Sequence, residues 1–226
     1  GCDFLATPCP SCLANLRTAE YKMRDDFFRD RVNKLLDEPY TGGVEGKSIL
    51  RILYEDITPE GIAQQVANPL RITVVPYYGC LTTRPGGMAT FDDEENPISM
   101  DELLKAAGAK VPEFAFKTEC CGASMGTPLK ESVTRLSGRI LDQAAQVGAQ
   151  AIIVACPLCQ LNLDLRRGQI NRANKTSHQM PVIYITQILG LALGLSPGDV
   201  AMDKLHVSPR QAVAAILNKD EEEVLA

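Results

Sequence analysis

Five cysteines in the second half of the chain are the residues best suited to bind a metal or to carry out redox chemistry. They are Cys80, the adjacent pair Cys120 and Cys121, and the pair Cys156 and Cys159 in the motif "CPLC". Adjacent residues in a trans backbone rarely reach disulfide geometry. We therefore expect Cys120 and Cys121 to serve different partners, or one inorganic partner that uses both thiols.

The number of thiols limits which inorganic group they could bind. Thiolates are soft ligands that favour zinc, Cu(I) and iron–sulfur clusters. Structural zinc takes four ligands and would leave one of the five thiols unused, as would an ordinary cubane cluster. A cluster of unusual shape could use all five. The pattern predicts a thiolate–metal site and favours iron–sulfur over zinc, which stays open as an alternative.

A repeated motif adds two further candidate ligands. "GCDFLATPCPSCLANL" from Gly1 and "GAQAIIVACPLCQLNL" from Gly148 align without a gap, placing Cys9 on Cys156 and Cys12 on Cys159. Such self-similarity indicates an internal duplication, and we expect the chain to lack roughly the first 70 residues of a two-lobed protein. Cys9 and Cys12 would then be part of an incomplete site. Cys2 aligns with no repeated cysteine and is interpreted as a bystander.

Composition excludes several classes of protein. The chain has 226 residues, of which 45% are hydrophobic, and a net charge of -5, which suits one or two soluble globular domains. It has no basic face for nucleic acid and no run of roughly 20 apolar residues for a membrane helix. The start does not resemble a secretory signal, so we expect a cytoplasmic protein whose eight cysteines are metal ligands or redox groups.

The elements that position these cysteines alternate between strand and helix. "RITVVPYYGC", "AIIVAC" and "MPVIYIT" are apolar runs typical of strands that are buried on both faces, which favours an α/β fold with a mainly parallel sheet. The cysteines then fall at strand ends, where such sheets place their sites. We expect residues 1–67 to be the remainder of a first lobe with connecting helices, and residues 68–226 to be a second, complete lobe.

The segments between the strands have helical periodicity and capping signals, which predict helices. "RTAEYKMRDDFFRDRVNKLLDE" is predicted to be one helix, and further helices are predicted from about Ser48 and in "TPEGIAQQVA", "PLKESVTRLSGRILDQAAQVG" and "QILGLALG". "SMDELLKAAG" is predicted to begin with a capping box of Ser99 and Glu102 and to end at Gly108.

The combination of motifs is more specific than the cysteine pattern alone. "PYYGC…RP", "CCGAS", "CPLCQLNLD" and "MPVIYITQILGLALGL" resemble the B subunit of heterodisulfide reductase, within the CCG-domain (cysteine-rich domain) family. The resemblance covers nearly the whole chain. It agrees with the duplication, because that family has two CCG motifs and the first is cut here.

The resemblance implies a cofactor and its ligands. In that family each CCG motif binds a noncubane [4Fe-4S] cluster through five cysteines. By position, the ligands of one cluster would be Cys80, Cys120, Cys121, Cys156 and Cys159, while Cys9 and Cys12 would be two remaining ligands of the other. The chain departs from the family in lacking the other three ligands of that first site.

The resemblance also implies a reaction and partners. The family reduces a disulfide, coenzyme M–coenzyme B in methanogens, to two thiols between the clusters. Electrons would come from two other members of the same complex, an iron–sulfur protein and a flavin-containing protein. Two alternatives remain open. One is an electron-transfer component of a glycolate, lactate, succinate or fumarate oxidoreductase, without a substrate site of its own, and the other is a structural zinc module.

A few other residues are weaker candidates. Arg84 closely follows Cys80 and could bind an anionic substrate, although an exposed arginine in a polar loop is the simpler interpretation. Lys117 could adjust the charge of the site, and Gln187 could either bond backbone near the site or cap a helix. No acid–base residue is predicted, and no catalytic residue beyond the cluster ligands.

Overall fold

The structure, a computed structural model, describes residues 2–84 and 91–224. Gly1 of the repeat, the proline of the "RP" motif and the adjoining part of the long loop lie outside these residues. In the described ranges, five strands form two parallel sheets: β1 (Phe4–Thr7), β2 (Glu45–Ser48), β3 (Val74–Tyr77), β4 (Ala151–Val154) and β5 (Val182–Tyr184).

Helices connect and cover these strands. They are α1 (Pro10–Lys22), α2 (Asp26–Asn33), α3 (Ile49–Arg51, continued by a π-helical segment Ile52–Ile57), α4 (Pro59–Gln65), α5 (Cys80–Thr83), α6 (Ser99–Ala106), α7 (Lys130–Gln146), α8 (Pro157–Asp164), α9 (Arg167–Asn174), α10 (Ile185–Ala192) and α11 (Arg210–Leu217). None of the helices in the described ranges is both long enough and apolar enough to cross a bilayer.

The larger sheet has the order β3-β4-β5, and all of its strands are parallel. Every residue of the three strands is buried, because helices cover both faces. The predicted α/β fold with parallel sheets is thereby confirmed. Since parallel strands end at one edge, the segments that follow β3 and β4 begin side by side, and these segments carry Cys80 and Cys156.

The duplication seen in the sequence is visible in the backbone. β1 and β4 occupy equivalent positions of the aligned repeat, and each is followed by a cysteine and then by a helix that begins at proline. The backbone angles of that cysteine agree closely: φ is -119° and ψ 116° at Cys9, and φ is -129° and ψ 117° at Cys156. Proline suits this first helical position because its missing N–H would have no partner there.

The two copies differ in the neighbours of their strands. β4 lies between β3 and β5, whereas β1 pairs with β2 alone among the strands of the described residues. As a result, Phe4 and Leu5 of β1 are 41% and 48% exposed, while the equivalent residues of β4 are buried. One edge of β1 therefore presents unpaired backbone groups beside apolar side chains.

One local prediction was wrong, one strand was not predicted, and one expected helix start is confirmed. The segment expected to be one long helix is divided into α1 and α2, because the Asp25 carboxylate accepts the N–H of Phe28 and begins a new helix. Strand β2 was not predicted, because "EGKS" has no apolar pattern. The helix expected from about Ser48 is confirmed, since it begins at Ile49 with Ser48 as its cap.

The capping box expected at Ser99 and Glu102 is also absent from α6. Ser99 is the first helical residue, and its buried hydroxyl has no hydrogen-bond partner among residues 2–84 and 91–224. The Asp92 carboxylate instead accepts the N–H groups of Ile98 and Ser99, while Glu102 accepts the hydroxyl of Tyr54. A carboxylate from the preceding loop has replaced the local cap.

Candidate metal centre

Cys80 is positioned by a turn that only glycine fits. Gly79 has φ +72°, and a Cβ at this position would lie 2.9 Å from the sulfur of Cys159. The turn therefore lets the backbone after β3 approach the thiol of α8 closely. Cys80 begins the short helix α5 and is half-buried.

The adjacent cysteines Cys120 and Cys121 lie beside different neighbours. The sulfur of Cys120 is 3.8 Å from that of Cys80, and the sulfur of Cys121 is 3.7 Å from that of Cys159. Gly122, at φ +80°, turns the chain so that its N–H donates to the Cys120 sulfur at 3.3 Å. One dipeptide thus joins the segment after β3 to the segment after β4.

Cys156 and Cys159 lie at the amino end of α8, and both are buried. Hydrogen bonding from Cys159 lowers the pKa of Cys156 to about 7, with further help from the backbone N–H groups of Leu158 and Cys159. This is the usual effect of a helix amino terminus on a thiol. Together with Cys80, Cys120 and Cys121, these residues are called here the second cysteine group.

Burial and mutual contact oppose full ionisation of the buried thiols in the second cysteine group. Hydrogen bonding from Cys159 lowers the pKa of Cys121 to about 6, and the same contact raises the pKa of Cys159. Burial, followed by the nearby Cys120, raises the pKa of Cys80 to about 11. A soft cationic group would remove this repulsion and take the protons' place, so the donor set suits such a group.

The arrangement of the sulfurs is extended rather than focused on one point. Within residues 2–84 and 91–224, no set of three or more His, Cys, Asp or Glu side chains has the geometry of a single-ion site. The thiols form two close pairs, Cys80 with Cys120 and Cys121 with Cys159, with Cys156 next to the second pair.

Asn162 fixes the loop that carries the adjacent cysteines. Its side-chain N–H groups donate to the carbonyl of Cys121 at 2.8 Å and to the hydroxyl of Ser137 at 3.0 Å, and Ser137 donates to the same carbonyl. Asn162 is 1% exposed. Its role was not predicted, although its presence in the repeated "NL" of both copies was the available signal.

A second polar network supports the turn before Cys80. The hydroxyl of Tyr78 donates to Asp101 at 2.7 Å, and Lys117 forms an ion pair with the same carboxylate at 3.2 Å. The backbone carbonyl of Lys117 accepts the N–H groups of Tyr78 and Gly79. Lys117 is therefore engaged with Asp101, and its observed contacts serve to position the backbone that leads to Cys80.

Cys9 and Cys12, called here the first cysteine group, face the second group. Helix α1, which follows Cys9, packs against α5, which Cys80 begins. The pKa of Cys12 is raised first by its contact with Cys9 and also by the charge of Cys156. Cys2 is exposed and is drawn into neither group. The fold thus places both repeated motifs next to each other.

The remaining candidates lie at the margin of the site. Arg84 follows α5 and is exposed, and its guanidinium pairs with Glu95 at 3.2 Å. Gln187 accepts the N–H of Tyr184 and the amide of Gln160, each at 3.0 Å, so it acts as a helix cap that also contacts α8. A substrate contact for Arg84 stays a prediction.

The chain is similar to known proteins in sequence and in fold. The cysteine-rich domain family CCG matches residues 74–164, which contain the whole second cysteine group. Over 93% of its length the chain is 31% identical to the B subunit of the ferredoxin:CoB-CoM heterodisulfide reductase of Methanosarcina mazei, of which it covers 72%. The chain belongs to the CCG family. The resemblance noted in the sequence is confirmed.

Other CCG proteins show how far the similarity extends. The B subunit of the ferredoxin/F420H2-dependent CoB-CoM heterodisulfide reductase of Methanosarcina acetivorans is 31% identical, with 96% of this chain and 74% of the relative aligned. The 8-methylmenaquinol:fumarate reductase membrane anchor subunit of Wolinella succinogenes is 30% identical, with 87% and 70% aligned. The CCG family therefore includes similar relatives from two different kinds of oxidoreductase.

A solved structure supports the fold. A hypothetical protein from Helicobacter pylori superposes with a TM-score of 0.62 at 12% identity, over 86% of this chain. The chain spans only 36% of the length of that protein. At this identity the likeness concerns the CCG chain's fold alone.

Proposed function

We propose that this CCG protein is the iron–sulfur subunit of a heterodisulfide-reductase-like complex, which reduces a disulfide to two thiols. The second cysteine group carries the proposal, because five thiols from three segments meet at the carboxyl end of β3 and β4. The first cysteine group faces it from the other copy of the repeat. Relatives that are named as the B subunit of such reductases support this assignment.

The ligands of the proposed noncubane [4Fe-4S] cluster are the five thiols of the second cysteine group. Two of the sulfur–sulfur distances, 3.7 and 3.8 Å, come from residues on different segments, so the donors surround an extended volume. Gly79 lets its turn approach the Cys159 sulfur, and Gly122 lets the turn after Cys121 pack against α7 while its N–H donates to the Cys120 sulfur. Buried Asn162 fixes the loop that carries two of the ligands.

The proposed reaction needs two electrons and two protons for each disulfide. One S–S bond breaks, and each sulfur leaves as a thiol after gaining one electron and one proton. When bound, the iron–sulfur group would supply the electrons singly. The chain contributes the two facing cysteine groups, which define the space for the disulfide. The electrons would arrive from two partner proteins of the complex, one with iron–sulfur clusters and one with a flavin, and the protons from solvent.

Arg84 is proposed to orient the substrate. Its side chain is 53% exposed, and its only ion pair among the described residues is with Glu95, which is 80% exposed. Such a pair contributes little and is easily exchanged for another anion. A disulfide that carries carboxylate, sulfonate or phosphate groups would offer guanidinium a two-point contact.

The first cysteine group would need further ligands. We propose that residues 1–67 form part of a first CCG lobe and residues 68–226 the second. The further thiols would come from a polypeptide segment that pairs with the edge of β1 that has no strand partner among the described residues. Production of the chain together with a segment that carries three further cysteines should raise the iron content from about four to about eight atoms. No increase would count against this arrangement.

A second candidate function is electron transfer without substrate chemistry. The similarity to a fumarate reductase membrane anchor subunit favours it, because the relative's name does not include disulfide reduction. In that case the two cysteine groups would form a relay, and the exposed Arg84 would have no ligand.

The deciding experiment measures iron, sulfide and zinc in protein made without oxygen, and records electron paramagnetic resonance before and after addition of a thiol. About four irons with matching sulfide, and a signal that changes with thiol, are expected for a substrate-binding group. Iron without a thiol-dependent signal would support the relay, and about one zinc without iron would support a structural zinc module.

Two cysteine variants test which thiols bind the iron. Cys121→Ser removes a buried member of the second cysteine group and should abolish most iron binding. Cys2→Ser removes an exposed thiol outside both groups and should leave the iron content unchanged. Equal iron content in the two variants would refute the assignment of ligands.

A further inference from the structure

One hydroxyl connects the two copies of the repeat at the point where they carry their cysteines. Tyr184 is the last residue of β5, and its hydroxyl lies 2.5 Å from the carbonyl oxygen of Pro8 and 3.1 Å from that of Ala155. Pro8 and Ala155 are equivalent positions of the repeat, each directly before the first cysteine of its motif. A hydroxyl has a single hydrogen, so the two carbonyls share one donor.

Tyr184 is fixed firmly to the second copy. Its backbone pairs with Val154 in the sheet, and its N–H donates to the Gln187 side chain. Gln187 in turn accepts the side-chain amide of Gln160, which follows Cys159 on α8. The ring is 8% exposed. Only the hydroxyl reaches across to the first copy.

The equivalent residue of the first copy does something different. Ser48 occupies the matching place, since Thr7 pairs with Ser48 as Val154 pairs with Tyr184. The Ser48 hydroxyl accepts the N–H of Arg51 and caps its own helix. The bridge therefore comes from one side only. A serine side chain is also too short to replace the span of the phenol ring.

The phenol of Tyr184 is close enough to both cysteine groups to be affected by their charges. Burial raises the pKa of Tyr184, and the charges of Cys156 and Cys9 raise it further. The phenol is thus near both the first cysteine group and the second, and it stays a hydrogen-bond donor.

We propose that Tyr184 is a positioning residue that sets the separation between the two cysteine groups. By binding the backbone just before Cys9 and just before Cys156, it makes the two motifs move as one unit. The inference rests on the proposed function only for its consequence, which is the width of the space that a disulfide would enter. The contact itself is independent of any bound metal.

The test measures thiol-to-thiol reach in the complete chain after removal of bound iron, with folding checked by circular dichroism. A short bifunctional thiol reagent is applied, and linked peptides are quantified by mass spectrometry. The informative quantity is the yield of the Cys12–Cys156 link, between the groups, divided by the yield of the Cys80–Cys120 link, within one group.

In Tyr184→Phe this ratio should fall about fivefold, the effect of one ordinary net hydrogen bond on an equilibrium. Tyr54→Phe is the matched control, because it removes a hydroxyl that donates to Glu102 and contacts neither motif. Its ratio should stay at the wild-type value. Tyr184→4-aminophenylalanine keeps a donor on the same ring and should restore the ratio.

Three results would overturn the inference. They are an unchanged ratio in Tyr184→Phe, an equal loss of both links, and a Tyr184→Phe chain that does not fold, since each of the last two shows a general structural role. A failure of this kind would leave the iron and thiol measurements untouched. The two proposals can therefore fail separately.

Discussion

Replacing Asn162 by alanine is the sharpest test of how the fold supports the second cysteine group. The substitution removes two buried hydrogen bonds, to the carbonyl of Cys121 and to the hydroxyl of Ser137. At a net value of about 1 kcal/mol each, their loss would cost about 2 kcal/mol. Two features of the site reduce this figure.

The first feature is that the Cys121 carbonyl keeps a partner, since Ser137 also donates to it. The second is that the buried side-chain oxygen of Asn162 has no hydrogen-bond partner within the described part of the chain, so its removal relieves a penalty of about 1 kcal/mol. A net loss of about 1 kcal/mol in the free energy of unfolding remains as an order-of-magnitude expectation, about 2–4 °C in melting temperature for a chain of this size.

The repeat supplies the control for this substitution. Asn15 occupies the equivalent place in the first copy, but it is exposed and no hydrogen bond of its side chain occurs among the described residues. Asn15→Ala should therefore change the free energy of unfolding by less than about 0.5 kcal/mol. Thermal unfolding followed by circular dichroism measures both variants. Equal shifts, or a larger shift for Asn15→Ala, would refute the reasoning.

Two further substitutions probe the turn before Cys80. Gly79→Ala should lower the iron content, because its Cβ would lie 2.9 Å from the Cys159 sulfur. Gly148→Ala is the control, because Gly148 has a similar φ of +73° and open space around it. Equal iron content in the two variants would exclude crowding as the cause. Lys117→Met removes the ion pair of the buried Asp101 carboxylate, where the two side chains are 12% and 11% exposed, and leaves it the hydroxyl of Tyr78 as a donor. The substitution should cost about 3 kcal/mol in the free energy of unfolding. Arg84→Met breaks the exposed pair with Glu95 and should cost less than about 1 kcal/mol, so urea unfolding with similar midpoints for the two would contradict this account.

The sequence was most informative where a pattern depends on the backbone alone. The three buried strands follow from apolar runs, and the equivalence of Cys9 with Cys156 follows from a repeated motif. The turn at Gly108 follows from the glycine itself, which has φ +88° in the structure. Such features are decided by neighbouring residues, so a single sequence contains them.

The rest depended on partners that are distant in the chain. Ser99 has the right spacing for a cap, yet the Asp92 carboxylate took its place from the preceding loop. The hydrogen bond from the Tyr184 hydroxyl to the Pro8 carbonyl joins residues that are far apart in the chain. No local sequence pattern predicts this bond. Asn162 was visible as part of a repeat, but its contact with the Cys121 carbonyl required the fold.

The exposed edge of β1 has a practical consequence for anyone who produces this chain. Unpaired strand edges beside apolar side chains are templates on which a second molecule can add its own strand. Phe4 and Leu5 lie on such a strand, so concentrated protein should self-associate through β1. Leu5→Lys would place a charge on that edge, which natural proteins use to prevent such pairing. Light scattering should then show a smaller particle, with the second cysteine group unaltered.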